Sequence, residues 1–271
     1  MSRRRFLALL GSGLLAAGTG ASVLSVYRFH IEFIEAPLAG LRDPLHVAFL
    51  SDLHYGPFIG SGSVAAWVDA TLELEPDLIV LGGDLVDNRL RRTPAALVGE
   101  LARLRAPLGV YTVWGNHDHT RFGHGIGDFA ADLAAIGVKL LQNSGELVRD
   151  DLSLMGIDDL REGSPDLAAA LATRKANAAS LLVSHNPDVL PMVPLDVGLT
   201  LAGHTHGGQV RLPLIGPLAT SSHYGRRFVA GWVNGPARGY VSRGLGVAQL
   251  PLRIDCPPEL TSLRLVPRAK L

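Results

Sequence analysis

Short apolar runs along the first half of this chain each end abruptly in polar residues, and helical-period segments lie between them. His46 to Leu50 runs into Ser51-Asp52, and Leu78 to Leu81 runs into Gly82-Gly83-Asp84. Both read as buried strands that carry polar groups at their C-terminal ends. Between them, Val64, Trp67, Val68, Thr71 and Leu72 recur at helical spacing and predict a helix over Ser63 to Leu74. Strand, helix, strand implies a right-handed crossover. A third strand is expected over Gly109 to Val113, with helices over Pro94 to Leu104 and Asp128 to Ile136. Ahead of these, Tyr27 to Glu35 alternates like a strand, and Pro37 to Pro44 reads as a turn-rich connection.

The pattern changes in the second half. Glu146 to Arg149 and Leu152 to Met155 face each other across Asp150-Asp151 as a hairpin, followed by a helix over Ser164 to Thr173. Leu181 to Val183 leads into Ser184-His185, and Leu199 to Leu201 leads into Ala202-Gly203-His204-Thr205-His206. From Gly207 onward, short segments broken by Gly and Pro predict an antiparallel finish. βαβ units followed by hairpins give an α/β fold: a four-layer α/β/β/α sandwich of two mixed β-sheets flanked by helices, with its active edge at the strand ends.

The N-terminus does not belong to that rhythm. Arg3-Arg4-Arg5 precedes an uncharged run from Phe6 to Val26, a basic segment feeding an apolar one. Paired arginines followed by Phe6-Leu7 match a twin-arginine export signal, and the run is also about long enough to span a bilayer as an uncleaved anchor. Residues 1–26 are therefore expected to be a signal or membrane anchor, and residues 27–271 one catalytic domain. Either reading puts that domain outside the cytoplasm, in the periplasm or on the extracytoplasmic face of the membrane. The partners expected are the export machinery and the membrane.

Composition narrows the chemistry. Hydrophobic residues make up 47% of the 271 and charged residues 18%, which fits buried strands and excludes disorder. Lys+Arg and Asp+Glu balance at 25 each, so nothing global points to nucleic acid as a partner. The single cysteine, Cys256, can form neither an internal disulfide nor a thiolate metal cluster, and is read as structural.

Five strand ends finish in residues that bind hard or borderline metals: Asp52 and His54, Asp84, Asn116 and His117, His185, and His204 and His206. A lone histidine at a strand end is more often a hydrogen-bonded core residue than a ligand, and that reading is kept for His30, His46, His119, His124 and His223. It fails for the five-block set, because so many buried polar side chains need a metal or a partner to satisfy them. Imidazole mixed with carboxylate and amide oxygen suits manganese, iron or zinc. Alternate residues in Asp52-Leu53-His54 are expected to point to one side of an extended strand end, with Leu53 packed behind.

Ser51-Asp52-Leu53-His54, Gly82-Gly83-Asp84, Gly115-Asn116-His117-Asp118, Ser184-His185 and Gly203-His204-Thr205-His206-Gly207-Gly208 resemble the five blocks of the calcineurin-like metallophosphoesterases. They come in that family's order and cover almost the whole chain after the leader. With the leader and the Gly-His-Thr-His-Gly-Gly-Gln block, the chain most resembles the exported or membrane-anchored bacterial branch. The resemblance implies two divalent ions. Asp52, His54 and His206 would hold the first, Asp84 would bridge, and Asn116, His185 and His204 would hold the second. It implies that His117 donates a proton or stabilises a phosphate oxygen, and that Asp118 orients it. The activity implied is hydrolysis of a phosphodiester, phosphomonoester or pyrophosphate. Some relatives in that branch act on phospholipid or UDP-diacylglucosamine-type substrates, so a cell-envelope or lipid-linked ester is expected. The rival readings are a non-catalytic metal-binding scaffold of the same fold and a two-metal hydrolase of non-phosphate bonds.

Three further segments stand out. Arg91 and Arg92, in the basic run Asn88-Arg89-Leu90-Arg91-Arg92, are candidate substrate-phosphate contacts, against the plainer reading of a solvated loop. Gly123-His124-Gly125-Ile126-Gly127 is a glycine loop at the pocket edge that lacks the strand-to-helix context of a dinucleotide site. Leu212 to Leu218 is an apolar stretch after the last block, read either as core or as a contact for a lipid surface.

Overall fold

The computed structural model describes residues 25–234 and 237–268. The expected signal or anchor falls on residues 1–24, outside the described ones, together with its last two positions at the start of the domain. Val26 is buried in the helix-side core. Among the described residues, no helix is long and apolar enough to cross a membrane.

Two six-stranded mixed sheets pack face to face. The first comprises β1 (His30–Leu38), β14 (Glu259–Pro267), β2 (Leu45–Leu50), β3 (Leu78–Leu81), β4 (Val110–Thr112) and β5 (Val138–Leu140), in that spatial order. The second runs β12 (Gly231–Asn234), β13 (Arg238–Val241), β9 (Leu199–Ala202), β8 (Ala179–Val183), β7 (Leu152–Gly156) and β6 (Ser144–Arg149). β2 to β5 are mutually parallel, as are β7, β8, β9 and β13. Their C-terminal ends therefore collect on one edge, which is where the polar blocks begin.

Alternation along each strand divides the core. Val47, Phe49, Leu78 and Val80 meet Leu154, Leu181, Val183 and Leu201 between the sheets. The opposite faces of β2 and β3, carrying Ala48, Leu50, Ile79 and Leu81, pack under α1 (Ser61–Glu73), α2 (Ala95–Leu101) and α4 (Ile126–Ala135). On the far side, Met155 and Leu182 pack with Ala170 of α5 (Leu167–Ala172) and with Val189. This is the expected four-layer α/β/β/α sandwich, and the β6–β7 hairpin forms across Asp150-Asp151 as read.

Three expectations are corrected. The first strand lies three residues further along than its alternation suggests, and includes Pro37. Among the described residues β1 is an edge strand paired with β14 alone, and an edge strand tolerates a proline's missing N–H on its open side. Asn116–Phe122, whose first residues are expected as the polar end of the third strand, is the short helix α3. Its first turn is polar, with no apolar periodicity to announce it. The chain's end is not purely antiparallel, since β13 joins β9 in parallel and β14 inserts between β1 and β2, parallel to the former.

Candidate metal centre

Five of the seven expected ligands leave their strand ends in a conformation the strands themselves do not have. Asp52, His54, Asp84, His204 and His206 adopt left-handed backbone, with φ of 55°, 48°, 50°, 70° and 51°. Non-glycine residues rarely do so, and clusters of such strain mark functional sites. The two-ligand step at Asp52-Leu53-His54 is thus a left-handed turn rather than an extended strand end, although Leu53 is buried behind it as expected. Backbone bonds lock these turns together: Asp52 N–H donates to Gly83 O, His54 N–H to Asp84 O, and Gly203 N–H to His185 O. Glycine is required at 115, where a Cβ would collide with the carboxylate and backbone nitrogen of Asp84.

The turns bring the side chains into two adjoining groups. In the first, His54 Nε2 lies 2.9 Å from His206 Nε2, and His206 Nε2 lies 3.4 Å from Asp52 Oδ1. In the second, His185 Nε2 lies 3.2 Å from Asp84 Oδ2 and 3.2 Å from His204 Nδ1. Asp84 links the two, its Oδ2 being 3.4 Å from His54 Nε2. Asn116 adds an amide oxygen that is buried and without a hydrogen-bond partner among the described residues. An unpaired buried polar atom costs about 1–3 kcal/mol. Cations coordinated by imidazole, carboxylate and amide would satisfy such atoms, so the donor set fits divalent metal.

Supporting contacts aim the ligands. His185 Nδ1 is 2.8 Å from Gly82 O, which turns Nε2 towards Asp84. Ser51 Oγ donates to Asp52 Oδ2 at 2.6 Å, and His204 N–H to Asp52 Oδ1 at 2.9 Å. The N-terminus of α3 faces Asp84: His117 N–H donates to its Oδ1 at 2.8 Å.

Electrostatics without metal show how strongly the centre is desolvated. Burial pushes the Asp52 carboxyl up to about 6. Burial also pushes His54 and His204 down to about 3, and His206 well below its usual value, so all three imidazoles are neutral and competent to ligate. At the shared position, burial alone would raise Asp84 and lower His185. Their mutual attraction overrides both, holding the carboxylate ionised and the imidazole protonated.

His117 is half-buried at the mouth, edge-on to the His54 ring with centroids 4.5 Å apart. Its Nδ1 accepts the Asn88 N–H at 3.2 Å. Asp118 does not orient that ring as the family resemblance implied. Its two oxygens accept from Val86 N–H at 3.1 Å and Gly115 N–H at 3.0 Å, so it fastens the first turn of α3 to the loop after Asp84. Burial raises its carboxyl to about 7.

Arg91 and Arg92 are exposed, and Arg92 stacks over the Tyr55 ring at 4.7 Å. The arginine of that run which is tied into the site is Arg89, bidentate to Asp87 and donating to Gln249 O. Three other residues escaped sequence reasoning. Asp87 lies 3.9 Å from His54 Nδ1. Arg161 donates from its guanidinium to Ser221 O, on the cleft that His206 lines, and its charge helps hold His204 below its usual value. Arg253 is buried behind His206, 3.5 Å from its Nδ1, with its guanidinium donating to backbone carbonyls of residues 243, 244, 246 and 256. None stands in a block, and each reaches the centre only through the fold. Cys256 is buried, its thiol 3.3 Å from His206 O, in keeping with a structural role.

Residues 45–208 match the model of the calcineurin-like phosphoesterases. The chain is 33% identical to a Bacillus subtilis protein described as the uncharacterized metallophosphoesterase YkuE, covering 96% of both chains. It is 33% identical to the phosphodiesterase YaeI of Escherichia coli, covering 98% of this chain and all of that one. Among solved structures, a dimetal phosphatase from Danio rerio superposes with a TM-score of 0.51 at 15% identity, over 78% of this chain and 90% of the other. At that identity the likeness concerns the fold alone.

Proposed function

The chain belongs to the calcineurin-like phosphoesterase family and is a metal-dependent phosphate-ester hydrolase, and on that premise we propose that it uses a pair of divalent ions against a phosphate ester of the cell envelope. The observation that carries the two-ion reading is the shared position of Asp84, within 3.4 Å of His54 in one ligand group and 3.2 Å of His185 in the other. Asp52, His54 and His206 would hold one ion and Asn116, His185 and His204 the other. Bound there, such a pair supplies Lewis acidity towards a phosphoryl oxygen and an activated water at neutral pH.

The chain's own groups do the rest. With Nδ1 accepting the Asn88 N–H, a neutral His117 carries its proton on Nε2, from which it would serve a leaving-group or phosphoryl oxygen. Arg161, exposed and held by Ser221 O on the cleft that His206 lines, offers a planar cation for phosphate oxygens, and Arg91 and Arg92 are further candidates. The complete ligand set with His117 beside it supports turnover rather than a non-catalytic scaffold.

Export through the twin-arginine route, with the domain held at the extracytoplasmic face of the membrane, is supported by Arg3-Arg4-Arg5 ahead of an uncharged segment. That placement favours a phospholipid or another lipid-linked ester as substrate. Full-length protein in detergent with manganese, offered soluble p-nitrophenyl esters, a phospholipid and a lipid-linked pyrophosphate, tests this. Higher kcat/KM on a lipid ester is expected. Turnover restricted to the soluble esters would end the envelope-lipid reading and leave the hydrolase in place.

A further inference from the structure

The stretch after the last metal block carries an unusual combination of exposure and charge. Between Asp196 and Asp255 the chain has no acidic residue and six arginines. Within it, β10 (Arg211–Leu212) and β11 (Gly216–Pro217) form a two-stranded hairpin whose tip holds Leu214, fully exposed, and Ile215, 52% exposed. Leu218, just beyond, is 59% exposed, and Leu250 on the neighbouring loop 62%. The sequence left this segment open between core and lipid contact, and these side chains are not core. Arg226 leans onto the hairpin through Pro217 O at 3.4 Å, with Arg227 exposed beside it.

This surface is continuous with the metal centre. Gln209, three residues after His206, bonds Ala248 at both backbone positions, which fixes the hairpin base against the Leu250 loop. His206, Gln209, Thr220, Ser221 and Leu250 line one cleft. The rim continues from Gln249 O to Arg89, from Arg89 over the Phe58 ring, and from Phe58 O to the Tyr27 hydroxyl. Tyr27 is exposed, and Ser25, the first described residue, donates to the backbone oxygen of Arg253, whose guanidinium reaches His206. The described chain therefore begins, at Ser25, on the same edge as the metal ligands, and Arg3-Arg4-Arg5 and the apolar run precede that point in the sequence.

We propose that this edge is an interfacial docking surface for an anionic phospholipid bilayer, with Leu214, Ile215, Leu218 and Leu250 entering the headgroup boundary and Arg211, Arg226 and Arg227 meeting the lipid phosphates. Protruding aliphatic side chains framed by arginines are what binds such a surface: apolar area enters the interface, and each nearby cation adds attraction to anionic headgroups. Contiguous exposed apolar patches of this kind mark interaction sites rather than ordinary surface. The geometry opens the His206 cleft towards the bilayer. The inference deepens the envelope reading above and rests on it.

The test uses the full-length chain with Leu214→Trp, and Leu195→Trp as control. Leu195 is also an exposed leucine, but it precedes β9 and so lies at the opposite end of the parallel strands from the metal ligands. Each is mixed with phosphatidylglycerol/phosphatidylcholine vesicles bearing brominated acyl chains, and emission is compared with wild type. A blue shift and bromine quenching at position 214 and not at 195, weaker on phosphatidylcholine alone, is expected. Equal quenching at both positions, or none at 214, overturns the proposal. So does a blue shift at 214 that grows with protein concentration without vesicles, which would make this face a contact with a second copy. Neither leucine touches the metal ligands, so both variants should hydrolyse soluble bis-p-nitrophenyl phosphate like wild type. Loss of that activity in the wild-type protein would count against the hydrolase, whatever the vesicles show.

Discussion

The backbone N–H of Asn88 donates to Nδ1 of His117 at 3.2 Å, which leaves the proton of a neutral ring on Nε2. A loop beginning four residues after Asp84 thus sets the tautomer of a histidine on another element. His117→Ala should lower kcat by about 10²–10⁴ while bound metal, measured by elemental analysis, stays at the wild-type level. The loss should be larger for an alkyl phosphate diester than for a p-nitrophenyl diester, whose phenolate leaves without a proton. Equal losses on both would deny His117 the acid's role.

Metal uptake should depend on pH in a definite direction. In the metal-free protein, burial raises Asp52 to about 6 and Asp84 keeps His185 protonated, so a metal has to displace protons. Manganese titration at pH 7, followed calorimetrically in buffers of different ionisation enthalpy, should release protons. Affinity should fall further as pH drops through about 6, where Asp52 takes one up.

Stability should have its own pH window, set by His119 and Asp158, whose Nε2 and Oδ1 are 2.6 Å apart. The hydrogen bond to Asp158 raises His119 above its usual value. Its contribution is full below about 6.5 and is lost as pH rises through the raised value. Burial alone would raise Asp158, but hydrogen bonds from His119, Ser164 N–H, Gln142 and Asp159 N–H outweigh it and hold the carboxyl at about 2. That contribution is present above about 3.9 and is lost as pH falls towards 2. The melting temperature of wild type should therefore decline above neutrality relative to His119→Gln, and the two curves should converge at high pH.

Gly115→Ala should damage the centre from behind. Its Cβ would displace Asp84, the residue common to both ligand groups. Chemical denaturation should show about 1–3 kcal/mol of lost stability, and metal content should fall with it. A variant that keeps full metal content would show that Asp84 can shift without consequence.

Arg161→Ala should raise KM for phosphate esters with little change in kcat, since its guanidinium, held by Ser221 O on the cleft that His206 lines, would bind a phosphate oxygen rather than react. An unchanged KM would remove Arg161 from the substrate site.

How legible this was depended on what each feature is made of. β2, β3, β8 and β9 are apolar runs buried on both faces, so their positions and the polar groups at their ends could be read directly. Those ends taken together marked eight metal-capable residues, and the family resemblance implied that seven of them ligate while His117 does not. The left-handed turns at Asp52, His54, Asp84, His204 and His206 were not legible, because that strain is maintained by backbone bonds between distant loops, such as Asp52 N–H to Gly83 O. β14 between β1 and β2 is a pairing across more than two hundred residues, beyond any local pattern. Helix α3 hid in a polar block because Asp118 anchors its first turn through Gly115 N–H. The same bond explains why Asp118 is not the partner of His117.

The central claim is that Asp84 joins two metal positions into one hydrolytic centre. It is tested most directly by metal stoichiometry and bis-p-nitrophenyl phosphate turnover, measured together on wild type and Asp84→Ala reconstituted with manganese. Wild type should bind two ions per chain and turn over, and the variant should lose both turnover and at least one ion. Turnover that saturates at one ion per chain, or that survives Asp84→Ala, would contradict it.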